Sequence, residues 1–180
     1  MQPVPGKNHF DLFGLPLSFE VNQEDLSLRY RDLQRASHPD RFANASAQEK
    51  LLSVQQAALI NEAFQTLKSP LPRARYLLQL HGIELNDNDT AMDPAFLMEQ
   101  MELREALSEV RNNDEPFDEL NRLRDRIEGN ERELVEALQQ LFAVGDDLKQ
   151  GKDLVQRMQF MQRLLSEVDE LEETLVHDAG

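Results

Sequence analysis

A histidine and an aspartate separated by one proline, His38-Pro39-Asp40, are the residues whose types and spacing most invite a chemical reading. An imidazole and a carboxylate held at a rigid turn are the ingredients of general acid and base chemistry. Pro39 lacks an amide hydrogen and pushes His38 out of the α region, and helix-periodic sequence lies on both sides, so the triplet is expected in an interhelical loop. The rest of the chain offers this pair no catalytic company. His9, His38, His81 and His177 show no ligand spacing, no Gly-rich phosphate loop is present, and the carboxylates follow helix faces. With no cysteine, disulfides, thiolate metal sites, a cysteine nucleophile and iron-sulfur ligation by the chain's own thiols are excluded. The expectation is a non-enzyme with no catalytic residue, no metal and no cofactor. A turn-forming pair that merely caps the next helix is the bland alternative for His38 and Asp40.

The elements that must position the triplet are all helical, and neither an alternating strand pattern nor an internal repeat is found. Phe10 to Pro16 reads as a short helical turn stopped by Gly14 and Pro16, with its aromatics turned inward. Asn22 caps a helix with Gln23-Glu24-Asp25 in its first turn and Leu26, Tyr30 and Leu33 as its apolar stripe. Ser46-Ala47-Gln48-Glu49 is a capping box opening a helix in which Ala57, Ile60, Ala63, Phe64 and Leu67 recur at helical spacing. These two helices form an antiparallel pair around the triplet. Ser69-Pro70 restarts a helix that Gly82 stops, with Leu71, Tyr76, Leu77 and Leu80 as candidates for burial.

Asn86-Asp87-Asn88-Asp89 favours turns and marks the boundary of a second domain opening at Asp93-Pro94. Helix is expected from there to about Asn112. Another runs from Pro116 to Gly145 and carries Leu120, Leu123, Ile127, Leu134, Leu138 and Leu141, with Gly129-Asn130 as a place to bend. A third holds Leu154, Met158, Met161, Leu165, Val168 and Leu175 near heptad spacing. The fold expected is all-α: an antiparallel helix pair with short flanking helices over residues 8–82, a linker at 83–92, and an antiparallel three-helix bundle over 93–176.

Charge divides the chain in the same way. Of the net charge of -15, residues 1–75 contribute +1 from nine Lys/Arg and eight Asp/Glu, and the remainder contributes -16. Such asymmetry suggests two parts with different partners, and the acidic part should repel nucleic acid and anionic membrane. A solubilising surface is the plain alternative for most of these carboxylates. The start, Met1-Gln2-Pro3-Val4-Pro5, has no apolar run behind a basic segment and no stretch approaches a membrane span, so a cytoplasmic protein is expected.

With helices placed on both sides of His-Pro-Asp, the first part resembles a J-domain. Ile60-Asn61-Glu62-Ala63-Phe64-Gln65-Thr66-Leu67 looks like the third-helix signature of that family, and Arg73-Ala74-Arg75-Tyr76 falls where a basic residue and Tyr follow. More narrowly, Phe10-Asp11-Leu12-Phe13-Gly14-Leu15-Pro16, Tyr76-Leu77-Leu78-Gln79-Leu80-His81-Gly82 and Phe96-Leu97-Met98-Glu99-Gln100 resemble the HscB family of J-type co-chaperones, across nearly the whole chain. The resemblance implies a J-domain joined to a bundle that binds an IscU-like iron-sulfur scaffold protein. It also implies delivery of that scaffold to a DnaK-class, HscA-like chaperone, whose ATPase His-Pro-Asp stimulates. Ser37 stands where many J-domains carry Tyr. The cysteine-rich amino-terminal extension of some eukaryotic relatives is absent, so a bacterial-type form is expected. The alternatives are a J-domain adaptor for a different client and a helical interaction scaffold without ATPase stimulation.

Two working surfaces follow. Winding the second helix at roughly 100° per residue puts Arg31 and Arg35 opposite Leu26, Tyr30 and Leu33, and with Arg41 they make a small basic patch. The resemblance implies that His38, Pro39, Asp40 and this patch dock on the chaperone; exposed arginines also steer encounter with an acidic surface. A solvated face without a role is the alternative for the arginines. On the helix from Asp93, Phe96, Leu103, Leu107 and Val110 fall within roughly 60° and form the bundle face. Leu97, Met98 and Met101, with Glu102, Glu105 and Glu109, fall roughly 100° to 240° away. An apolar patch rimmed by carboxylates suits a protein-binding site, and Met adapts its shape. The resemblance assigns scaffold binding to these positions and adds Phe160. A wider bundle that buries Leu97, Met98 and Met101 is the competing reading.

Overall fold

Helix starts in this chain are marked by residues that satisfy orphan amides, and the computed structural model, which describes residues 8–38, 45–85 and 93–178, shows four such caps in place. Asn8 and Asp11 form a reciprocal capping box at α1 (His9–Phe13), and Gly14 ends it in the left-handed region at φ 63°. Phe10 and Phe13 are buried, as the inward-facing reading of this turn requires. Asn22 accepts from the amides of Glu24 and Asp25, both at 3.0 Å, to open α2 (Gln23–Ser37). Ser46 and Glu49 form the second capping box, at α3 (Ala47–Lys68). α4 (Pro70–Leu80) follows Ser69 directly and is closed by Gly82 at φ 74°.

The α2–α3 pair is locked by side chains from both helices. Leu26 is buried, and the Tyr30 ring stacks on Phe64 with centroids 4.0 Å apart. The Tyr30 hydroxyl donates to Asn61 Oδ1 at 2.9 Å and accepts from Gln34 Nε2 at 3.0 Å. A second tie uses an arginine. Arg29 Nε meets Asp25 at 2.9 Å, and its Nη1 donates to the carbonyls of Phe13 at 2.9 Å and Gly14 at 3.1 Å. The guanidinium thereby caps the carboxyl end of α1. A Cβ on Gly14 would lie 3.1 Å from that nitrogen, besides straining the left-handed backbone.

α4 differs from its expected burial pattern in two places. Leu80 is exposed and Leu78 is fully buried instead, because Leu71, Ala74, Leu77 and Leu78 keep one helical face while position 80 turns off it. Arg73 is buried as well: its Nη1 donates to the Leu67 carbonyl at 2.7 Å, and its guanidinium carbon lies 4.9 Å from the Phe19 ring centroid. A carbonyl at the carboxyl end of α3 and an aromatic face thus receive the charge, and burial lowers the pKa of the group.

The chain folds as two compact units, Met1–Leu80 and His81–Gly180. In the second, Asp93 caps α5 (Pro94–Glu109) through the Ala95 amide, with Pro94 in its first turn, and a 3-10 turn continues over Val110–Asn112. α6 (Pro116–Val144) is one unbroken helix through Gly129 and Asn130, and Gly145 ends it at φ 75°. Asn130 Nδ2 donates across to Glu99 at 2.7 Å. α7 (Gly151–Asp178) completes an all-α architecture, with no strand among the described residues. Phe96, Leu103, Val110, Leu120, Leu123, Ile127, Met161, Leu164 and Val168 fill the bundle core, and Phe160 packs with them. α7 presents a wider stripe than heptad spacing alone, because it faces both α5 and α6. Val155, Phe160 and Leu164 are therefore buried, while Leu165 and Leu175 are only partly so.

His9 gives the first unit a titratable joint. Its ring stacks on Tyr76 at 4.2 Å, and its backbone amide donates to the Tyr76 hydroxyl at 3.0 Å. Burial lowers the imidazole pKa, with the Glu62 carboxylate pulling the other way. A depressed value means that the unfolded chain takes the proton first on acidification. We predict that the first unit loses stability as pH falls below about 6.5, the ordinary histidine value, and that this contribution is level above it. Melting temperatures of the full chain across that range, compared with His9→Phe, check this: a slope unchanged by the substitution would rule His9 out.

Candidate functional site

The carboxyl end of α2 carries the first surface. Arg31 and Arg35 are exposed one helical turn apart, and Leu26 on the opposite face is buried. Arg35 Nη1 lies 4.0 Å from Asp32 Oδ1, with the two side chains 80% and 79% exposed, so water screens this pair and it fixes little. Ser37 is buried and donates its Oγ proton to the Leu33 carbonyl at 2.9 Å, which satisfies the hydroxyl within the helix. His38 then leaves the helix with φ -59° and ψ 128°, the extended geometry that a following proline imposes, and it is exposed. Pro39, Asp40 and Arg41 lie outside the described residues. Arg29, although on the same helix, is occupied in holding α1.

The second surface is on α5. Its fully turned-in residues are Phe96 and Leu103, while Leu97, Met98 and Met101 remain 49%, 64% and 66% exposed. The wider bundle that would bury these three is therefore not what forms. Glu102, Glu105 and Glu109 are set on the same side, and all three are exposed. The rim is not purely anionic, since Arg126 Nη2 reaches Glu102 at 3.3 Å. Glu105 and Glu109 carry their charges beyond that pair.

Phe160 is the exception among the residues expected on this surface. Only 9% exposed, it meets Phe96 edge-on with ring centroids 5.8 Å apart, and the Arg104 guanidinium lies 5.6 Å from its ring centroid. It supports the patch from beneath rather than forming part of the exposed face. Arg104 is in turn held by Glu167, with Nη1 to Oε2 at 3.1 Å and Nη2 to Oε1 at 3.3 Å. Arg157 repeats the arrangement at the start of α5, over the Phe96 ring at 4.9 Å and paired with Asp93 at 2.8 Å. Neither arginine is legible from the sequence, because each pairing spans more than sixty positions. Among the described residues no group of three or more His, Cys, Asp or Glu is placed to hold a metal ion, and no helix is long and apolar enough to cross a membrane.

A helix pair with short flanking helices, followed by a three-helix bundle, is the architecture of a J-type co-chaperone. Comparison with known proteins agrees across the chain. Residues 92–169 match the family model described as the HSCB C-terminal oligomerisation domain. A co-chaperone protein HscB homolog of Shewanella halifaxensis is 44% identical over 171 residues, covering 93% of this chain and 98% of the relative. The structure of chaperone HscB from Vibrio cholerae superposes with a TM-score of 0.87 at 43% identity, covering 94% of this chain and 99% of that one. The human co-chaperone protein HscB gives a TM-score of 0.88 at 32% identity, covering 96% of this chain and 85% of the other. The chain belongs to the HscB co-chaperone family.

Burial separates the patch from its support. Phe160→Ala should destabilise the full chain by about 3–5 kcal/mol through the cavity it leaves. Leu97→Ala, Met98→Ala and Met101→Ala should each stay within about 0.5 kcal/mol of the parent, as surface substitutions do. Denaturant unfolding of the four variants checks this, and a large loss at Met98 or Met101 would mark that residue as core.

Proposed function

We propose that this chain recruits an IscU-like iron-sulfur scaffold protein through α5 and presents it to a DnaK-class, HscA-like chaperone. The chain stimulates the ATPase of that chaperone through His38-Pro39-Asp40, aiding cluster assembly or transfer in the cytoplasm. On this reading residues 8–82 act as the J-domain, 83–92 as a linker and 93–176 as the client-binding bundle. The single observation that carries the reading is the Leu97-Met98-Met101 patch, left exposed on α5 of a chain that belongs to the HscB family. Large exposed apolar side chains grouped on one helix face mark protein-binding sites, and the methionines let the face adapt its shape.

The chaperone-facing role falls to Arg31, Arg35, Arg41, His38, Pro39 and Asp40. Exposed guanidinium groups accelerate encounter with an acidic surface, and a proline-stiffened turn makes a polar contact with little ordering entropy to lose. Neither demands covalent chemistry from this chain; the hydrolysed nucleotide belongs to the partner. The scaffold-facing role falls to Leu97, Met98 and Met101, rimmed by Glu102, Glu105 and Glu109, with Phe160 holding α5 in place.

The test is the steady-state ATPase of an HscA-like chaperone with this protein, with an IscU-like scaffold, and with both. Stimulation by both together should exceed the product of the separate effects, because the client and the J-domain arrive as one complex. His38→Gln should reduce stimulation at least about ten-fold, equivalent to about 1.4 kcal/mol of lost differential contact, while leaving the melting temperature unchanged. Leu97→Ala/Met98→Ala/Met101→Ala should abolish the synergy and retain the scaffold-independent part. Full stimulation by a folded His38→Gln protein would overturn the co-chaperone mechanism. Synergy retained by the triple variant would place the client elsewhere.

A further inference from the structure

The oxidisable sulfur of this chain is sorted by the fold. There is no cysteine, and the six methionines are its only sulfur side chains. Met158 and Met161 are buried in the second unit, where almost no solvent reaches them. Met98 and Met101 are the two most exposed large apolar side chains on α5, and Met1 and Met92 lie outside the described residues. Positions 98 and 101 are roughly 60° apart on the helix, and Leu97 and Met101 are one turn apart, so both thioethers belong to the apolar face.

Thioether oxidation by a peroxide is an oxygen-atom transfer. A sulfur lone pair attacks one peroxide oxygen, the O–O bond breaks, and after proton transfer the products are methionine sulfoxide and water. The sulfur loses two electrons and the peroxide gains them. Susceptibility follows access, so the α5 pair should react ahead of the core pair. The uncharged oxidant is not turned away by the carboxylates of Glu102, Glu105 and Glu109. Each sulfoxide places a strongly polar oxygen where an apolar contact offers it no donor, and a polar group buried without a partner opposes association.

We propose that Met98 and Met101 form an oxidation-sensitive modification site within the docking face, at which hydrogen peroxide produces sulfoxides that release the client and leave the fold intact. The inference rests on the client-docking function proposed above. A methionine sulfoxide reductase pair, one enzyme for each sulfoxide epimer, returns the surface to its binding form.

The experiment treats the full chain with hydrogen peroxide, maps the added oxygen by peptide mass spectrometry, and measures binding to a purified IscU-like scaffold by calorimetry. Sulfoxide should accumulate at Met98 and Met101 before Met158 and Met161, with the melting temperature unchanged. Affinity should fall about ten-fold or more and return after the reductases. The Met98→Leu/Met101→Leu protein, compared only with itself, should bind equally before and after peroxide. Undiminished binding by protein oxidised at both positions would overturn the inference, as would equal peroxide sensitivity in the double-leucine variant. Failure of untreated protein to bind any such scaffold would overturn the docking function itself and the inference with it.

Discussion

A helix packed against two neighbours can turn only part of its circumference inward, and α5 carries more apolar residues than that part accepts. Phe96 and Leu103 take the inward positions and pack with α7 and α6. Leu97, Met98 and Met101 are left outside because helical geometry sends them there once Phe96 is fixed. Keeping such a face exposed to water carries a cost in hydration. The same constraint explains Phe160. Facing Phe96 edge-on across the α5–α7 contact, it is drawn into the core that fixes the orientation of α5.

The acidity of the second unit is less uniform than its net charge implies. Arg124 meets Asp169 at 2.8 Å and Glu172 at 2.6 Å, and these contacts raise its pKa above the ordinary value, the Glu172 hydrogen bond most of all. Arg104, Arg126 and Arg157 each tie helices of the bundle in the same manner. These pairs are largely at the surface, where each contributes little alone. Their effect is on register. An arginine that reaches from one helix to a carboxylate on another penalises any sliding of the pair, which the apolar stripe by itself resists weakly. Glu105 and Glu109 remain to give the α5 face its anionic rim, while Arg31 and Arg35 give the end of α2 its cationic one.

Features fixed by a few consecutive residues are legible in the sequence, and those fixed by tertiary pairing are not. The capping box at Ser46 and Glu49, the Asn22 cap, and the stops at Gly82 and Gly145 are written in local text, because the groups that satisfy one another lie within four positions. The exposed patch is legible for a related reason, since helical winding and a count of apolar residues suffice to find it. Arg29 and Arg73 look like ordinary basic residues in a one-dimensional reading. Nothing local says that one closes α1 from sixteen positions away or that the other is buried against Phe19. Leu78 and Leu80 trade places between expectation and structure for a similar reason: neighbouring leucines are distinguished only by which element each helix face meets. Phe160 lies beside the main stripe of α7 on a single helical wheel, which does not contain the α5 helix whose Phe96 it meets.

Ser37 shows how the end of α2 accommodates a small residue where many J-domains carry a tyrosine. Here the anchoring is polar and local: the hydroxyl is buried and returns a hydrogen bond to Leu33, four residues back. Such a bond leaves the buried hydroxyl satisfied without requiring a partner from the loop. His38 then follows the proline rule, leaving the helix for extended backbone and solvent. The end of α2 is therefore closed by covalent geometry and an intrahelical hydrogen bond, with a serine rather than an aromatic residue at position 37.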